Sequence, residues 1–315
     1  MTADLARRFR RFAEVECQRD SPLYFRLGMA VADDAAILEW LAGAPSPQPN
    51  LFFAAARFLG APYESYDAFR SFVVERLPDI AALMRTRRTQ TNEVGRCATL
   101  LPALAALPGP LALIEVGTSA GLCLLADRYA YEYAIDGRRE RLGAGPPRLT
   151  CEVRGRAPVP GRIPEVVWRA GLDIAPVDVT DDDAVAWLEA CVWPDQPERL
   201  DRLRAAVRLA RQDPPRVLRG DAIADLPALV EAAPADATLV VFHSAVLSYL
   251  DPGRRTEFAA TVRRTRAVWL ANEAPGIVMP SPVPTPPEAC FLLSRGDEAL
   301  ALAHPHGRWL HWMSP

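Results

Sequence analysis

The stretch Leu111 to Tyr129, LALIEVGTSAGLCLLADRY, narrows the folds open to this chain more than any other. A short apolar run ends in Glu115, and a loop of small residues follows: Gly117-Thr118-Ser119-Ala120-Gly121. Residues 120–129 then have a helix-like pattern. Strand, tight turn and helix together open an α/β unit. Two chemistries use that shape. Gly117-x-Ser119-x-Gly121 fits the nucleophile elbow of a serine hydrolase. Glu115-x-Gly117-x-x-x-Gly121 fits the glycine loop of a Rossmann-like fold, where the backbone cradles a nucleotide-type cofactor.

The surroundings bear on the choice. Residues 1–107 have apolar positions at helical spacing (Leu5, Phe9, Phe12; Ile37, Leu38, Leu41; Phe69, Phe72, Val73, Leu77) and no period-2 strand. Their last helix is expected over 91–107, capped by Thr91 or Asn92 and ended by Pro108-Gly109-Pro110. After Pro110, strands alternate with helices. Strands are expected at 111–116, 148–154, 166–168, 216–219, 238–242 and 267–271, with closing strands at 289–294, 298–303 and 308–312. Residues 131–142 read as a hairpin turning at Asp136-Gly137. A long helical stretch over 181–211 is broken at Trp193-Pro194, and further helices fall at 226–232 and 252–264. The expectation is a helical N-terminal or cap domain, 1–107. It precedes an α/β domain, 108–315, with a parallel sheet, helices on both faces and an insertion at about 130–163.

A hydrolase elbow comes after several strands, and here about 110 helical residues precede the loop. An oxyanion segment of the His-Gly-Gly type is also missing. His304, His306 and His311 lie in the right chain order for a triad, which keeps that alternative open. The cofactor reading uses more residues. Gly117 lets the chain turn and a ligand approach the backbone, Thr118 and Ser119 continue the loop, and the following helix offers N–H groups. Glu115 accepts hydrogen bonds there and has no role in an elbow.

Composition removes other classes. All 36 basic residues are arginine, so a lysine Schiff base and a P-loop lysine are both ruled out. The net charge of −3, with signs interspersed, shows no broad basic face for nucleic acid. No run approaches the ~18 apolar residues of a spanning helix. No apolar signal segment follows the arginines of MTADLARRFRRF, and the expected location is cytoplasmic. Six scattered cysteines without a CxxC pair read as buried thiols, and no metal site is expected. The expected partner is a small-molecule substrate. Oligomeric state is not legible.

Further acids follow later strands. Asp173 in Gly171-Leu172-Asp173 and Asp221 in Gly220-Asp221-Ala222 both end apolar runs, and Asp136 has the better spacing for a ribose-binding acid. Asp221 also suits a helix N-cap. His243, in Val241-Phe242-His243-Ser244, and Glu273, in Leu270-Ala271-Asn272-Glu273, end strands at the expected crevice. There they are candidates for base or nucleophile-orienting work.

Ile114-Glu115-Val116-Gly117 resembles the first motif of class I S-adenosylmethionine (SAM) methyltransferases. The resemblance implies SAM as cofactor on Glu115, Gly117, Thr118, Ser119 and Gly121. It implies the ribose hydroxyls on Asp173, the adenine amino group on Asp221, and the ring against the N–H of Ala222. The whole chain also resembles the bacterial domain-of-unknown-function family 2332. The residues that carry this are Gln90 to Cys97, Glu115 to Leu122, Trp168-Arg169-x-Gly171-Leu172-Asp173, Val192-Trp193-Pro194, Gly220-Asp221-Ala222 and Val241 to Leu247. It implies that Asn92, Glu93 and Arg96 belong to the family pattern, with a role either in covering the cofactor crevice or in fastening helix to sheet. Cys123 stands where an asparagine is expected. The favoured expectation is a SAM-dependent methyltransferase. A non-catalytic binding or interaction protein on the same fold remains the competing class.

Overall fold

Breaks at the proline-rich residues 44–48 and at residues 59–65 divide the helical part. In a computed structural model, which describes residues 1–280 and 289–313, the chain forms two compact units. The first comprises Met1–Thr91 and Asp181–Asp201. Its helices include Thr2–Arg11, Pro22–Asp33, Ala35–Gly43, Pro49–Phe58, Tyr66–Glu75, Leu77–Thr86 and Asp182–Cys191. Ser21, Asp34, Ser65 and Asp181 cap four of them by accepting backbone N–H groups of the first turn. Their apolar stripes meet in an aromatic cluster of Phe9, Phe12, Tyr24, Phe52, Phe53 and Phe69, with ring centroids 4.8–6.4 Å apart. Such pairs add about 0.5–1.5 kcal/mol each beyond their area burial. Trp187 packs into this core and donates from Nε1 to Arg88 O at 2.8 Å.

The second unit comprises Asn92–Thr180 and Arg202–Pro315. Its strands are β1 Leu111–Val116, β2 Ala130–Ile135, β3 Arg138–Leu142, β4 Arg148–Arg154, β5 Val166–Asp173, β6 Val217–Arg219, β7 Thr238–Ser244, β8 Val268–Glu273, β9 Phe291–Arg295, β10 Glu298–Ala303 and β11 Trp309–Trp312. Among the described residues they make one sheet in the order β3-β2-β4-β11-β10-β9-β8-β7-β1-β5-β6. β6, β5, β1, β7 and β8 run parallel, and so do β11, β4 and β2, so the mixed sheet is mostly parallel. The antiparallel steps are β8-β9, β9-β10, β10-β11 and β2-β3. Ala112, Ile114 and Val116 of β1 pack with Leu226, Leu229, Phe258 and Val262 from helices Leu226–Ala232 and Pro252–Arg263. The alternation of a strand sends Leu113 and Glu115 to the other face. The fold is therefore mixed α/β, with a large sheet and packed helices.

Three local expectations change. The helix expected at 91–107 spans Arg96–Ala105. Asn92 and Glu93 leave the helical path because their side chains bond to the glycine loop and to Gly95 N. The helix expected at 120–129 is a 3₁₀ segment, Leu122–Arg128, kinked at Leu125. Its carbonyls have other partners: Leu122 O accepts from Tyr129 Oη, Ala126 O from Tyr131 Oη and Leu124 O from Arg169. An α-helix would need those carbonyls for its own N–H groups. The region expected as an insertion supplies β2, β3 and β4 of the same sheet, with β4 seated on β11. The hairpin turn is as expected, since Asp136 (φ 46°) and Gly137 (φ 80°) both adopt the left-handed conformation of a type I′ turn.

Candidate functional site

In a parallel sheet the crevice beyond the strand C-termini opens where the strand order reverses. Here that point lies between β1 and β7. The loop after β1 sits there. Gly117, Ser119 and Gly121 all have positive φ, at 68°, 52° and 71°. A Cβ on Gly117 would lie 2.3 Å from Val246 Cγ2, so the position combines a left-handed turn with a close approach that only glycine meets.

The loop is held from three sides. Thr118 Oγ1 donates to Glu115 Oε2 at 2.7 Å. Ser119 N donates to Asp173 Oδ2 at 2.7 Å, and Ala120 N donates to Asn92 Oδ1 at 3.2 Å. Asn92 Nδ2 donates in turn to Ser119 Oγ. The N–H groups that the sequence offered to a ligand at 119 and 120 are thus turned onto protein carboxylate and amide oxygens. Glu115 is buried, and that burial holds its carboxyl well above the usual carboxylate range. Ser119 is buried too, and Asn92 stands at its hydroxyl where an elbow would have a histidine.

Asp173, at the end of β5, is brought to the loop. Its Oδ1 accepts from Ala175 N at 2.8 Å. Each oxygen therefore accepts one N–H and keeps a lone pair for a further donor, which fits a diol-bearing cofactor. Asp136 is not brought there. It sits at the β2–β3 turn, and six strands lie between β2 and β1 in the sheet.

Asp221 accepts from Ile223 N (2.9 Å) and Ala224 N (3.0 Å) on Oδ1 and pairs with Arg254. The Ala224 N–H, with those of Ile223 and the Arg254 guanidinium, holds its carboxyl below the usual range. It organises the turn before helix Leu226–Ala232, beside half-buried Ala222.

His243 lies on β7, but its ring is fully enclosed, edge-on to Phe258. Trp269 Nε1 donates to its Nε2 at 2.9 Å, so Nε2 is the unprotonated nitrogen and Nδ1 carries the hydrogen shared with Glu273 Oε1 at 2.7 Å. The same Glu273 oxygen accepts from Val246 N (2.8 Å) and Leu247 N (3.1 Å). Glu273 Oε2 is buried with no hydrogen-bond partner among the described residues. The histidine and glutamate that the sequence pointed at the crevice thus tie the end of β8 to the turn after β7.

Glu93 and Arg96 are also buried. Glu93 Oε1 accepts from Gly95 N at 3.0 Å and Arg202 at 3.3 Å. Arg96 donates to Pro305 O at 2.9 Å and Ser244 O at 3.1 Å and lies over the Phe291 ring. These contacts fasten the helix start to the sheet. Cys123 donates to Glu93 O in the interior. Asn272 is not among the residues expected at the site, yet its Nδ2 donates to Ser244 Oγ at 2.9 Å and its Oδ1 is buried without a partner among the described residues. Its signal was available: a polar residue one position before Glu273 at the end of an apolar strand.

A family model described as "Uncharacterized protein conserved in bacteria (DUF2332)" matches residues 6–312. The chain belongs to that family. Comparison with the curated proteins and with the solved structures finds no match. The DUF2332 match spans both units and every candidate residue above.

Proposed function

We propose that this protein is a SAM-dependent methyltransferase acting on a small molecule, with SAM bound at the C-terminal ends of β1 and β5. The observation that carries this reading is the order β6-β5-β1-β7-β8. In chain order these parallel strands lie third-second-first-fourth-fifth, as in a Rossmann-type sheet, and an acid-and-glycine loop meets a second acid at the switch point. Glu115 and the loop 117–121 would line the cofactor, Asp173 would accept from the ribose hydroxyls, and Asp221 with Ala222 would border the adenine. SAM supplies an electrophilic methyl group. This chain's residues would hold the acceptor in line with it, and such positioning carries much of the rate in group transfer. His243 and Glu273 would fix the turn beside the cofactor and so act on reactants through backbone position.

A second reading has its own observation. His243 has both ring nitrogens engaged, and Asp221 is committed to its turn and to Arg254. That arrangement favours a non-catalytic binding or interaction protein on the same fold. Thermal unfolding with SAM and with S-adenosylhomocysteine tests the first reading. Ligand at about 100 times its dissociation constant stabilises by about 2.7 kcal/mol. No shift with either ligand at millimolar concentration sinks the methyltransferase reading. A shift that Asp173→Ala weakens by about tenfold supports it.

A further inference from the structure

A cavity of about 310 Å³ opens at the other end of the sheet from the glycine loop's strand, walled by β2, β3, β4, the helix carrying Arg202, and the turn between β10 and β11. Arg139, Arg202, Arg308 and His306 line it together with Glu132 and Glu152. Its size is at the small end of ligand pockets.

The charges around it are unequal. Glu132 is held by Arg139 and Arg141, both at 2.7 Å, and by Arg148 at 3.7 Å. Glu152 pairs with Arg154 at 3.2 Å, and Glu93 with Arg202 at 3.3 Å. Among the lining residues themselves, Arg139, Arg202 and Arg308 stand beside Glu132 and Glu152, three guanidinium groups to two carboxylates. A concave site whose lining carries an excess of positive charge concentrates anions. One donor in the wall is also unmet: Arg202 Nε is buried with no hydrogen-bond partner among the described residues. A buried guanidinium donor without an acceptor is costly, and a planar oxyanion matches its fork.

We propose that this cavity binds a small oxyanion, a carboxylate or phosphate group of a metabolite-sized ligand, through Arg202, Arg139 and Arg308. The site is independent of the SAM reading, because its residues and its probe are different. Arg202 also holds Glu93, whose neighbour Asn92 bonds the glycine loop at Ser119 and Ala120, so an anion on Arg202 reaches that loop through two adjacent residues.

The test is thermal unfolding of the full chain titrated to about 10 mM with inorganic phosphate and, separately, with succinate, against sodium chloride at matched ionic strength. The expected result is saturable stabilisation by at least one of them. Arg202→Gln and Arg139→Gln should each weaken the apparent affinity about tenfold or more. Arg263→Gln, which removes the pair with Asp297, should leave it unchanged. A response to phosphate alone assigns a phosphoryl ligand, and one to succinate alone assigns a carboxylate. No saturable response to either probe overturns the proposal. A response that Arg139→Gln leaves unchanged also overturns it, whether or not Arg202→Gln folds.

Discussion

Burial holds the Glu115 carboxyl well above its usual range, and this has a consequence for stability. An unfolded glutamate titrates near about 4.3. Between there and its higher folded value, the native state retains a proton that the unfolded state has lost, so this residue's contribution falls as pH rises. Glu115→Gln removes the titration while its amide oxygen can still accept from Thr118. The variant should therefore gain stability relative to wild type as pH rises above about 4.3, by up to about 1.4 kcal/mol per pH unit. Urea unfolding at several pH values measures this, and a flat difference refutes it. The same variant should bind SAM about tenfold more weakly if Glu115 serves the cofactor. A second residue-scale prediction concerns the enclosed histidine. Trp269→Phe leaves His243 Nε2 without its donor inside the core, so it should cost about 1–3 kcal/mol by equilibrium unfolding. The identity of Glu115 and Asp173 as strand-end acids beside small residues was legible in the sequence. The enclosure of His243 was not, because it depends on Phe258 and Trp269, which approach from other elements.

Elements whose signals are local formed where they were expected. The β2–β3 hairpin follows from Asp136-Gly137, and helix Asp182–Cys191 follows from its Asp181 cap. Elements whose backbone groups are claimed by distant side chains did not. The segment Leu122–Arg128 has helical composition, yet tyrosine hydroxyls and Arg169 take its carbonyls. Asn92 and Glu93 likewise face long-range partners before the helix begins at Arg96. The loop between β1 and this segment should be intolerant at Gly117. There a methyl group meets Val246 and φ is 68°. Gly117→Ala should destabilise by about 1–3 kcal/mol or more from backbone strain and overpacking. A melting temperature equal to wild type would contradict the packing described.

For the whole molecule, the unit division makes a prediction about fragments. Asn92 to Ala105 belongs with the sheet, whereas Asp181–Asp201 belongs with the helices. A fragment 108–315 therefore lacks the helix that supplies Arg96 and Cys97 and carries helix Asp182–Cys191 without its aromatic partners. It should fail to give a cooperative thermal transition, and a cooperative one would show that the sheet unit folds without residues 92–107. All six cysteines are free and five are buried. Burial pushes Cys151 up to about 12 and Cys191 up to about 11. Native protein at neutral pH should react slowly with thiol reagents and release six equivalents only on unfolding. No helix among the described residues is long and apolar enough to cross a membrane.

The sequence by itself determined what depends on neighbours along the chain: the periodicity that separates helices from strands, the hairpin turn, and the acid-and-glycine loop after β1. Only the tertiary structure decided what depends on partners far apart in sequence. It joined β4 to β11 and so made one continuous sheet. It sent Asp173 to the loop and Asp136 to the far edge. It gathered Arg139, Arg202 and Arg308, from three separate segments, around one cavity. Strand pairing and side-chain capture are settled by which surfaces meet, and a single strand's pattern carries no record of its neighbour.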